Sequence, residues 1–390
     1  MPSPRPLTNT AKSLILLVVS LFAFPALSSG TIIAVPGDEP TIQDGVDAAN
    51  PGDTVQVAAG VYSGPGNRDI DAGGKNLVIR STDGDPGTCV IDCGGSELEP
   101  HRAFLFENGE SAATIVEGFT IENGWGPLFL YGEGVDTVSV SIGGGIACLG
   151  SSPTLRDILF RNNTAYAGGA VICGFGSASH IRDCRFDDNS AYWFTDQADG
   201  NGGAVFSFES NISLSNCDFY NNASDNIGGA VSVDGEVATS ILIDSCVFAY
   251  NSAGEAGGAV NAFMATVTIT NSLFHENSTD YIGGAVYIES SPGQSDITSC
   301  TFDGNATSGV SAYGSAIYSE FSGSLDIERC IITGGSGGYV PIGCDFGVSL
   351  TVSCSDIYGN SPGDWVDCLT GLDGLNNNFS ADPLYCLADS

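Results

Sequence analysis

The sequence has few basic side chains. Its 390 residues contain 11 lysines and arginines against 46 aspartates and glutamates, and Lys12 and Lys75 are the only lysines. The formal net charge of −35 repels nucleic acid, anionic lipid and other polyanions, so we expect no nucleic-acid partner. Neutral glycans, divalent cations and basic proteins remain compatible with this charge. High charge also keeps an exported protein soluble, so the negative charge can be explained without any bound ligand.

Long apolar runs are scarce as well. The run over residues 13–24 follows Arg5 and Lys12 and precedes small residues, a pattern typical of an export signal. We therefore predict a signal peptide over residues 1–30, cleaved near residues 28–30, and a secreted, cell-surface or outer-membrane location. The run is too short to span a bilayer and no later segment is a candidate, so we expect no transmembrane segment in this chain.

Glycine is abundant, with 53 residues, and it recurs in a repeated phrase. Copies of Gly-Gly-Ala-Val, exact or degenerate, start at Gly143, Gly168, Gly202, Gly228, Gly257, Gly283 and Gly314. A second phrase between these copies places an aliphatic residue, then Cys or Ser, an aromatic residue and Asn at fixed offsets, as in Ile181, Cys184, Phe186 and Asn189. From Phe160 onward the aromatic position recurs every 25 to 33 residues.

This period predicts an all-β fold, a right-handed, single-stranded parallel β-helix of three sheets and about ten coils. Residues two apart, such as Cys184 and Phe186, fall on one face of a strand, so both are expected to point inward. The repeated Asn is expected to form a side-chain ladder along the solenoid. The positions predicted on the outer face are Ile172, Phe206, Ser232, Asn261 and Tyr287.

The β-helix domain is predicted over residues 31–385, with residues 31–62 as the N-terminal cap and first coil. Apolar residues Ile42, Val46 and Ala49 predict a short amphipathic helix that covers the open end of the core. Residues 386–390 form the C-terminal end, which we expect to be truncated.

Two stretches resemble known β-helix families. Residues 41–62, TIQDGVDAANPGDTVQVAAGVY, resemble the N-terminal cap and first coil of secreted pectate-lyase-like proteins. The Gly-Gly-Ala and Phe-x-x-Asn phrases resemble the repeats of polymorphic outer-membrane proteins. The resemblance covers residues 31–385 and implies the right-handed β-helix. It implies no single activity, because this superfold carries lyases, hydrolases, adhesins and passive surface proteins.

Catalytic motifs are absent from the sequence. Arg182 and Arg185, beside Asp187 and Asp188, form the best candidate cluster for lyase chemistry, which needs a basic side chain near carboxylate-bound Ca²⁺. Pairing of surface charges is the competing interpretation of this cluster. The polygalacturonase-type Gly-His-Gly and Arg-x-Lys phrases of glycoside hydrolases are missing. The sequence therefore favours a non-catalytic surface or adhesion module that binds an extracellular or cell-surface polysaccharide or protein. A polysaccharide lyase or glycoside hydrolase and a passive part of a larger surface protein are the alternatives.

Ligand-binding candidates lie in insertions and along one predicted edge. Aromatic rings beside carboxylates suit stacking on sugars with hydrogen bonds to hydroxyls. Packing of these rings against their own loops is the alternative. The candidates are Trp125, Tyr131, Tyr166, Tyr192, Trp193, Asp196, Asp199, Asp225 and Asp280.

The cofactor candidate is Ca²⁺, at Asp83 and Asp85 in a glycine-rich turn or in the loop that carries Asp196 and Asp199. With three histidines in the sequence and coil-like cysteine spacing, a zinc site is not expected.

Nine of the thirteen cysteines fall into two groups. One group shares a repeat position and is expected to stack in the core, as free thiols or with some bridges between coils; its members are Cys184, Cys217, Cys246, Cys300 and Cys330. The pairs Cys89 with Cys93 and Cys354 with Cys368 are predicted to lie in turns and to form disulfides.

Overall fold

The computed structural model describes residues 30–131, 138–192, 200–309, 313–321, 323–345, 347–361 and 363–385. Within them, strand segments from successive coils stack in register as parallel ladders, and the predicted all-β solenoid is confirmed. Most coils contribute two segments to a 20-stranded sheet and one to an 11-stranded sheet; six also contribute to a 6-stranded sheet. The predicted export signal lies outside the described residues.

The 20-stranded sheet contains two ladders, and two long strands, Val231–Asp244 and Val260–Thr270, run through both. The other strands of the first ladder are Ile32–Val35, Thr54–Val57, Val78–Ser81, Ile115–Glu117, Thr154–Arg156, His180–Arg182, Ile212–Ser215, Gln294–Thr298, Ser324–Glu328 and Ser349–Ser353. The other strands of the second ladder are Ile70–Asp71, Phe104–Phe106, Ile146–Leu149, Val171–Gly174, Val205–Phe208, Val286–Glu289, Ile317–Glu320 and Ile342–Cys344.

The remaining elements complete the coils. The 11-stranded sheet comprises Gly60–Ser63, Cys89–Asp92, Thr120–Glu122, Leu159–Arg161, Arg185–Asp187, Asp218–Tyr220, Val247–Ala249, Leu273–His275, Thr301–Asp303, Ile331–Thr333 and Asp356–Tyr358. The 6-stranded sheet comprises Thr164–Ala165, Ser190–Ala191, Ala223–Ser224, Ser252–Ala253, Ser278–Thr279 and Ala306–Thr307. An antiparallel hairpin, Leu128–Tyr131 with Val138–Ser141, an α-helix, Ile42–Ala48, and a 3₁₀ helix, Asp367–Leu369, stand apart.

Stacked phenylalanines fill the core of the central coils. Neighbouring rings lie nearly parallel, with centroids 4.6 to 4.8 Å apart, which is the spacing of hydrogen-bonded strands. The six rings belong to Phe160, Phe186, Phe219, Phe248, Phe274 and Phe302, all fully buried. The four inner rings therefore pack against phenylalanine in the coils above and below, and the two end rings meet Ile121 and Ile332 on their outer sides.

The predicted asparagine ladder is confirmed. Five of the six side-chain amide nitrogens in the row donate to the amide oxygen of the next coil at 2.9 to 3.0 Å, and the backbone N–H groups of the same five residues donate to that oxygen as well. The row is Asn163, Asn189, Asn222, Asn251, Asn277 and Asn305, all buried. Because the amides satisfy one another, polar turns can be buried without unpaired groups.

The double glycine makes a turn that other residues cannot make. Gly202 adopts φ +65°, in the left-handed region, and a Cβ on Gly203 would overlap the carbonyl oxygen of Gly229 in the next coil. This contact explains why the phrase recurs once per coil.

The predicted N-terminal cap is confirmed as a helix, Ile42–Ala48, with Ile42 and Val46 buried against the end of the core. The hydroxyl of Thr41 accepts a hydrogen bond from the backbone N–H of Asp44 at its start. At its end the ammonium group of Lys75 donates to the carbonyl oxygen of Ala49 at 3.2 Å.

The structure corrects both predicted disulfides. Cys89 and Cys93 are buried free thiols at the two ends of one extended segment, which separates their Cα atoms by about 13 Å, too far for a bridge. Cys368, at the 3₁₀ helix, pairs with Cys344 at a Cα separation of 6.2 Å, and Cys354 is exposed and free. The five cysteines that share a repeat position are buried free thiols. Of the two predicted alternatives, stacked free thiols are therefore confirmed, and disulfide bridges between coils are not formed by these five residues.

Removing one amide from the ladder should destabilise the fold. Asn222→Ala leaves the backbone N–H and the side-chain amide of Asn189 without their acceptor, and we expect a loss of about 3 kcal/mol in the free energy of unfolding. Urea unfolding followed by circular dichroism measures the loss. Asn108→Ala, at an exposed position, is the matched control and should change the value by less than about 0.5 kcal/mol. Equal losses would contradict the ladder's role.

Candidate functional site

The predicted catalytic cluster consists of paired surface charges. The Nε atom of Arg185 donates to both carboxylate oxygens of Asp187, at 2.9 and 2.8 Å, and its guanidinium lies 4.7 Å from the ring centroid of Tyr220. Arg182 pairs with Asp183 at 3.1 Å. Each guanidinium is thus paired with a neighbouring carboxylate. This is the pairing of surface charges that the sequence indicates as the alternative to a catalytic cluster. Asp188 adopts a positive φ of 54° in the turn that follows.

Asp83 and Asp85 are exposed in a turn, where a carboxylate oxygen of Asp85 accepts from the backbone N–H of Gly87 at 2.8 Å. Among the residues that the structure describes, no group of three or more His, Cys, Asp and Glu side chains is arranged to hold a metal ion. Ca²⁺ binding at this turn stays a prediction.

The predicted ligand-binding residues do not form one site. Trp193, Asp196, Asp199 and the side chain of Tyr131 lie outside the described residues. Tyr192 is exposed and Trp125 is half-buried. Asp225 and Asp280 are exposed on the predicted edge but two coils apart, about 10 Å, too far to hold one hydroxyl together.

The hairpin creates a second apolar cluster outside the β-helix. Phe129 and Val140, opposite each other in the hairpin, pack against the outer face of the second ladder of the large sheet. The buried residues beneath them are Ile142, Ala147, Leu149, Tyr166, Ala167, Ile172 and Phe206. The outer face of a solenoid normally faces water, and here the hairpin covers an apolar part of that face.

Beside the hairpin lies a cavity of about 250 Å³, which we call the aromatic groove. Its rings are those of Phe129, Tyr166, Phe175, Phe206 and Phe208. The centroids of Phe129 and Phe175 lie 5.6 Å apart, and Phe175 lies 5.8 Å from Phe208. Phe175 is 42% exposed, so the groove offers an accessible ring. Tyr166 brings one predicted ligand-binding residue into this site.

A glycine opens the floor of the aromatic groove. In the outward row next to Phe206, the residues in register are Leu149, Gly174, Phe208 and Asp234. Gly174 has no side chain to fill the space between Leu149 and Phe208, and a Cβ there would meet its nearest neighbour, in Leu149, at an ordinary 3.6 Å. The depression therefore comes from a missing side chain, not from a strained backbone.

Two polar side chains border the aromatic groove, those of Asn201 and Asp234. Asp234 lies in register between Phe208 and Phe263. Burial, and next the charge of Glu209, raise the pKa of Asp234 above its ordinary value. The groove thus combines stacking surfaces with carboxylate and amide oxygens that accept hydrogen bonds.

Sequence reasoning missed most of this groove, although the signal was present. The predicted outward placement of Ile172 and Phe206 is correct, since each lies in register with an outward residue of the neighbouring coil. Large apolar residues at outward positions of successive coils indicate a covered or ligand-binding face. That the hairpin residue Phe129 meets them is a tertiary contact.

A second aromatic group lies on the same outer face near the C-terminal coils. We call the rings of Tyr287, Tyr313, Tyr318 and Tyr339 the tyrosine cluster; Tyr313 lies 6.2 Å from Tyr318 and 5.0 Å from Tyr339. The hydroxyl of Tyr287 contacts the carboxylates of Glu289, at 3.0 Å, and Glu320. Burial, and next the hydrogen bond to Glu320, raise the pKa of Tyr287 above its ordinary value, which keeps its proton in place to donate.

Neutralising Asp234 should stabilise the protein in a pH-dependent way. The pKa of Asp234 is higher in the folded state than in the unfolded state, so its stability contribution is fully present below the unfolded pKa and is lost as pH rises through the folded pKa. Asp234→Asn should therefore raise the melting temperature near pH 8 and leave it unchanged near pH 3. Asp373→Asn, at an exposed position, should change neither value. A lower melting temperature for Asp234→Asn at pH 8 would contradict a raised pKa at this carboxyl.

No helix in the described part of the chain is long and apolar enough to cross a membrane.

A family model for the right-handed β-helix region matches residues 102–296 and 200–379. No curated protein matches the chain.

Two solved structures are similar to this chain at low identity. The catalytic unit of a thermostable GH87 α-1,3-glucanase from Streptomyces thermodiastaticus is 15% identical, with a TM-score of 0.40 over 88% of this chain and 71% of that chain. PfbA, a surface adhesin of Streptococcus pneumoniae, is 14% identical, with a TM-score of 0.34 over 80% of this chain and 88% of that chain. Similarity at this level carries no argument about activity.

Proposed function

The chain belongs to the right-handed β-helix family, and from this premise we propose that it is an exported, non-catalytic surface module that binds a neutral polysaccharide. The observation that carries the proposal is the aromatic groove on the outer face of the large sheet. The groove is formed by side chains from several coils, which stack at fixed spacing and hold it rigid.

The chemistry of the aromatic groove suits a sugar chain. Sugar rings present C–H faces that stack on aromatic rings, and the exposed ring of Phe175 offers such a surface. Hydroxyl groups at the ring edge need acceptors, which Asp234 and Asn201 supply. The net charge of −35 disfavours an acidic polysaccharide, so the proposal specifies a neutral one.

The length of the face also suits a polymer. The outward row that enters the groove runs through Gly174, Phe208, Asp234 and Phe263 on successive coils, and the last three are half-buried. At about 4.8 Å a coil this row spans roughly 14 Å, long enough for more than one sugar ring along the solenoid axis.

Removing the exposed ring of the groove should weaken polysaccharide binding. We expect Phe175→Ala to lower the affinity for a neutral polysaccharide about tenfold, because a stacking surface is lost. Binding would be measured by affinity electrophoresis against neutral glucans, mannans and galactans, with pectate and alginate as acidic counterparts. Gly174→Leu, which fills the groove while keeping its rings, should have the same effect.

Phe321→Ala is the matched control. Phe321 occupies the same left-handed turn position after the equivalent strand, with φ 49° against 57° for Phe175, and is 63% exposed outside the groove. It should bind like wild type. Retention of full affinity by Phe175→Ala and Gly174→Leu, or loss in Phe321→Ala alone, would contradict a site in the aromatic groove.

A second candidate function is hydrolysis of the bound glycan at the tyrosine cluster. Glu289 and Glu320 are in register on consecutive coils and share the hydroxyl of Tyr287. Retaining glycosidases separate their two carboxyl groups by about 5 Å, which matches the coil spacing of about 4.8 Å. The specific observation in favour is this shared hydrogen bond beside aromatic rings that can hold a sugar.

Release of reducing ends from the same polysaccharides tests hydrolysis. If the protein is a hydrolase, Glu320→Gln should abolish product formation, because the variant keeps the shape of the side chain but loses its charge. Asp326→Asn is the control, since Asp326 lies in register with Asp296 on the other ladder and away from the tyrosines. Products that persist in Glu320→Gln would exclude this pair as the catalytic groups.

A further inference from the structure

A second cavity, of about 220 Å³, adjoins the hairpin. We call it the arginine pocket; its polar lining residues are Asp69, Arg102 and Glu107, and its apolar wall includes Pro127 and Phe129. Phe129 and Ile142 line both this pocket and the aromatic groove, so the two sites adjoin on one face.

Arg102 is the unusual residue of the arginine pocket. Its side chain is 5% exposed, and its Nη2 atom donates to the carbonyl oxygen of Pro127 at 3.4 Å. Its Nη1 atom is buried and has no hydrogen-bond partner among the described residues. Burial lowers the pKa of Arg102 to about 10, so the guanidinium is still charged at neutral pH. A buried charged donor without an acceptor is rare in folded proteins because it loses its hydration without compensation.

A structural role explains only part of this arrangement. The bond to Pro127 links the hairpin to the coil beneath it, and this uses one donor of the guanidinium. It leaves the Nη1 atom of Arg102, a residue that lines the cavity, without a hydrogen-bond partner among the described residues. An acceptor oxygen from a molecule in the pocket would satisfy it.

The other polar groups of the arginine pocket, Asp69 and Glu107, indicate the charge and chemical class of that molecule. The carboxylate of Asp69 accepts from the backbone N–H of Arg102 at 3.1 Å and contacts the ring of His101 at 2.6 Å, so it is largely used within the fold. Glu107 is exposed at the rim and can accept a hydrogen bond. Two carboxylates beside one guanidinium disfavour an anionic ligand. A donor, an acceptor and an aromatic wall together match a neutral sugar.

We infer that the arginine pocket is a subsite for one neutral hexose unit, with Arg102 Nη1 donating to a sugar hydroxyl and Glu107 accepting from a neighbouring hydroxyl. This inference rests on the proposed function, and it deepens that function by placing a second contact point for the same glycan about two coils from the exposed ring of Phe175. Arg102 and Glu107 would then favour longer oligosaccharides over shorter ones.

Calorimetric titration with a length series tests the subsite. The probes are neutral gluco-, manno- and galacto-oligosaccharides of two to six units, with galacturonate oligomers of the same lengths. We expect Arg102→Met to weaken binding of a neutral hexasaccharide about tenfold while the disaccharide, held in the aromatic groove, binds as to wild type. Glu107→Ala should weaken the hexasaccharide about threefold. Glu97→Ala, at an exposed position outside the pocket, is its matched control and should have no effect.

The outcomes separate this inference from the proposed function. Thermal unfolding first establishes that Arg102→Met is folded, and Glu107→Ala, at the exposed rim, tests the same pocket without removing a buried group. If both variants bind the hexasaccharide like wild type while Phe175→Ala does not, the subsite is wrong and the aromatic groove stands. Preferential binding of galacturonate oligomers through Arg102 would also overturn it. If wild type binds none of the oligosaccharides, the proposed function fails and the subsite fails with it.

Discussion

The register between coils is the constraint on which the rest of this structure depends. The strands of the solenoid pair in parallel with those of neighbouring coils, so like residues are brought over like residues. Phenylalanine stacks on phenylalanine and asparagine donates to asparagine along six coils. A slip of one residue would reverse every side chain between core and surface, which makes the register strongly specified. The same register also aligns the outward residues in rows.

The candidate binding face arises where the chain departs from its repeat. Between Ile121 and Phe160 the spacing of the aromatic position widens to 39 residues, and this insertion supplies the hairpin. The hairpin lies over the outer face and turns a row of surface side chains into a cluster with cavities beside it. An insertion into a rigid solenoid can therefore form a defined site while the neighbouring coils stay regular.

The two ends of the face differ in chemistry. Near the N-terminal coils, phenylalanines dominate and the polar groups lie at the border, which suits binding. Near the C-terminal coils, the hydroxyl of Tyr287 brings two glutamates together, which suits proton transfer. The proposed binding and the alternative hydrolysis thus depend on different side chains of one surface, and the in-register rows place those side chains at intervals of about 4.8 Å.

The sequence by itself determined the β-helix, the cap helix, the asparagine ladder and the buried thiols, because each depends on a pattern that recurs once per coil or lies within a few residues. Only the tertiary structure decided the site. Phe129 meets Phe175 across an insertion, Arg102 is buried by a hairpin that follows it, and Cys368 finds Cys344 instead of Cys354. These contacts depend on how insertions fold back onto the coils, and no repeat records that path.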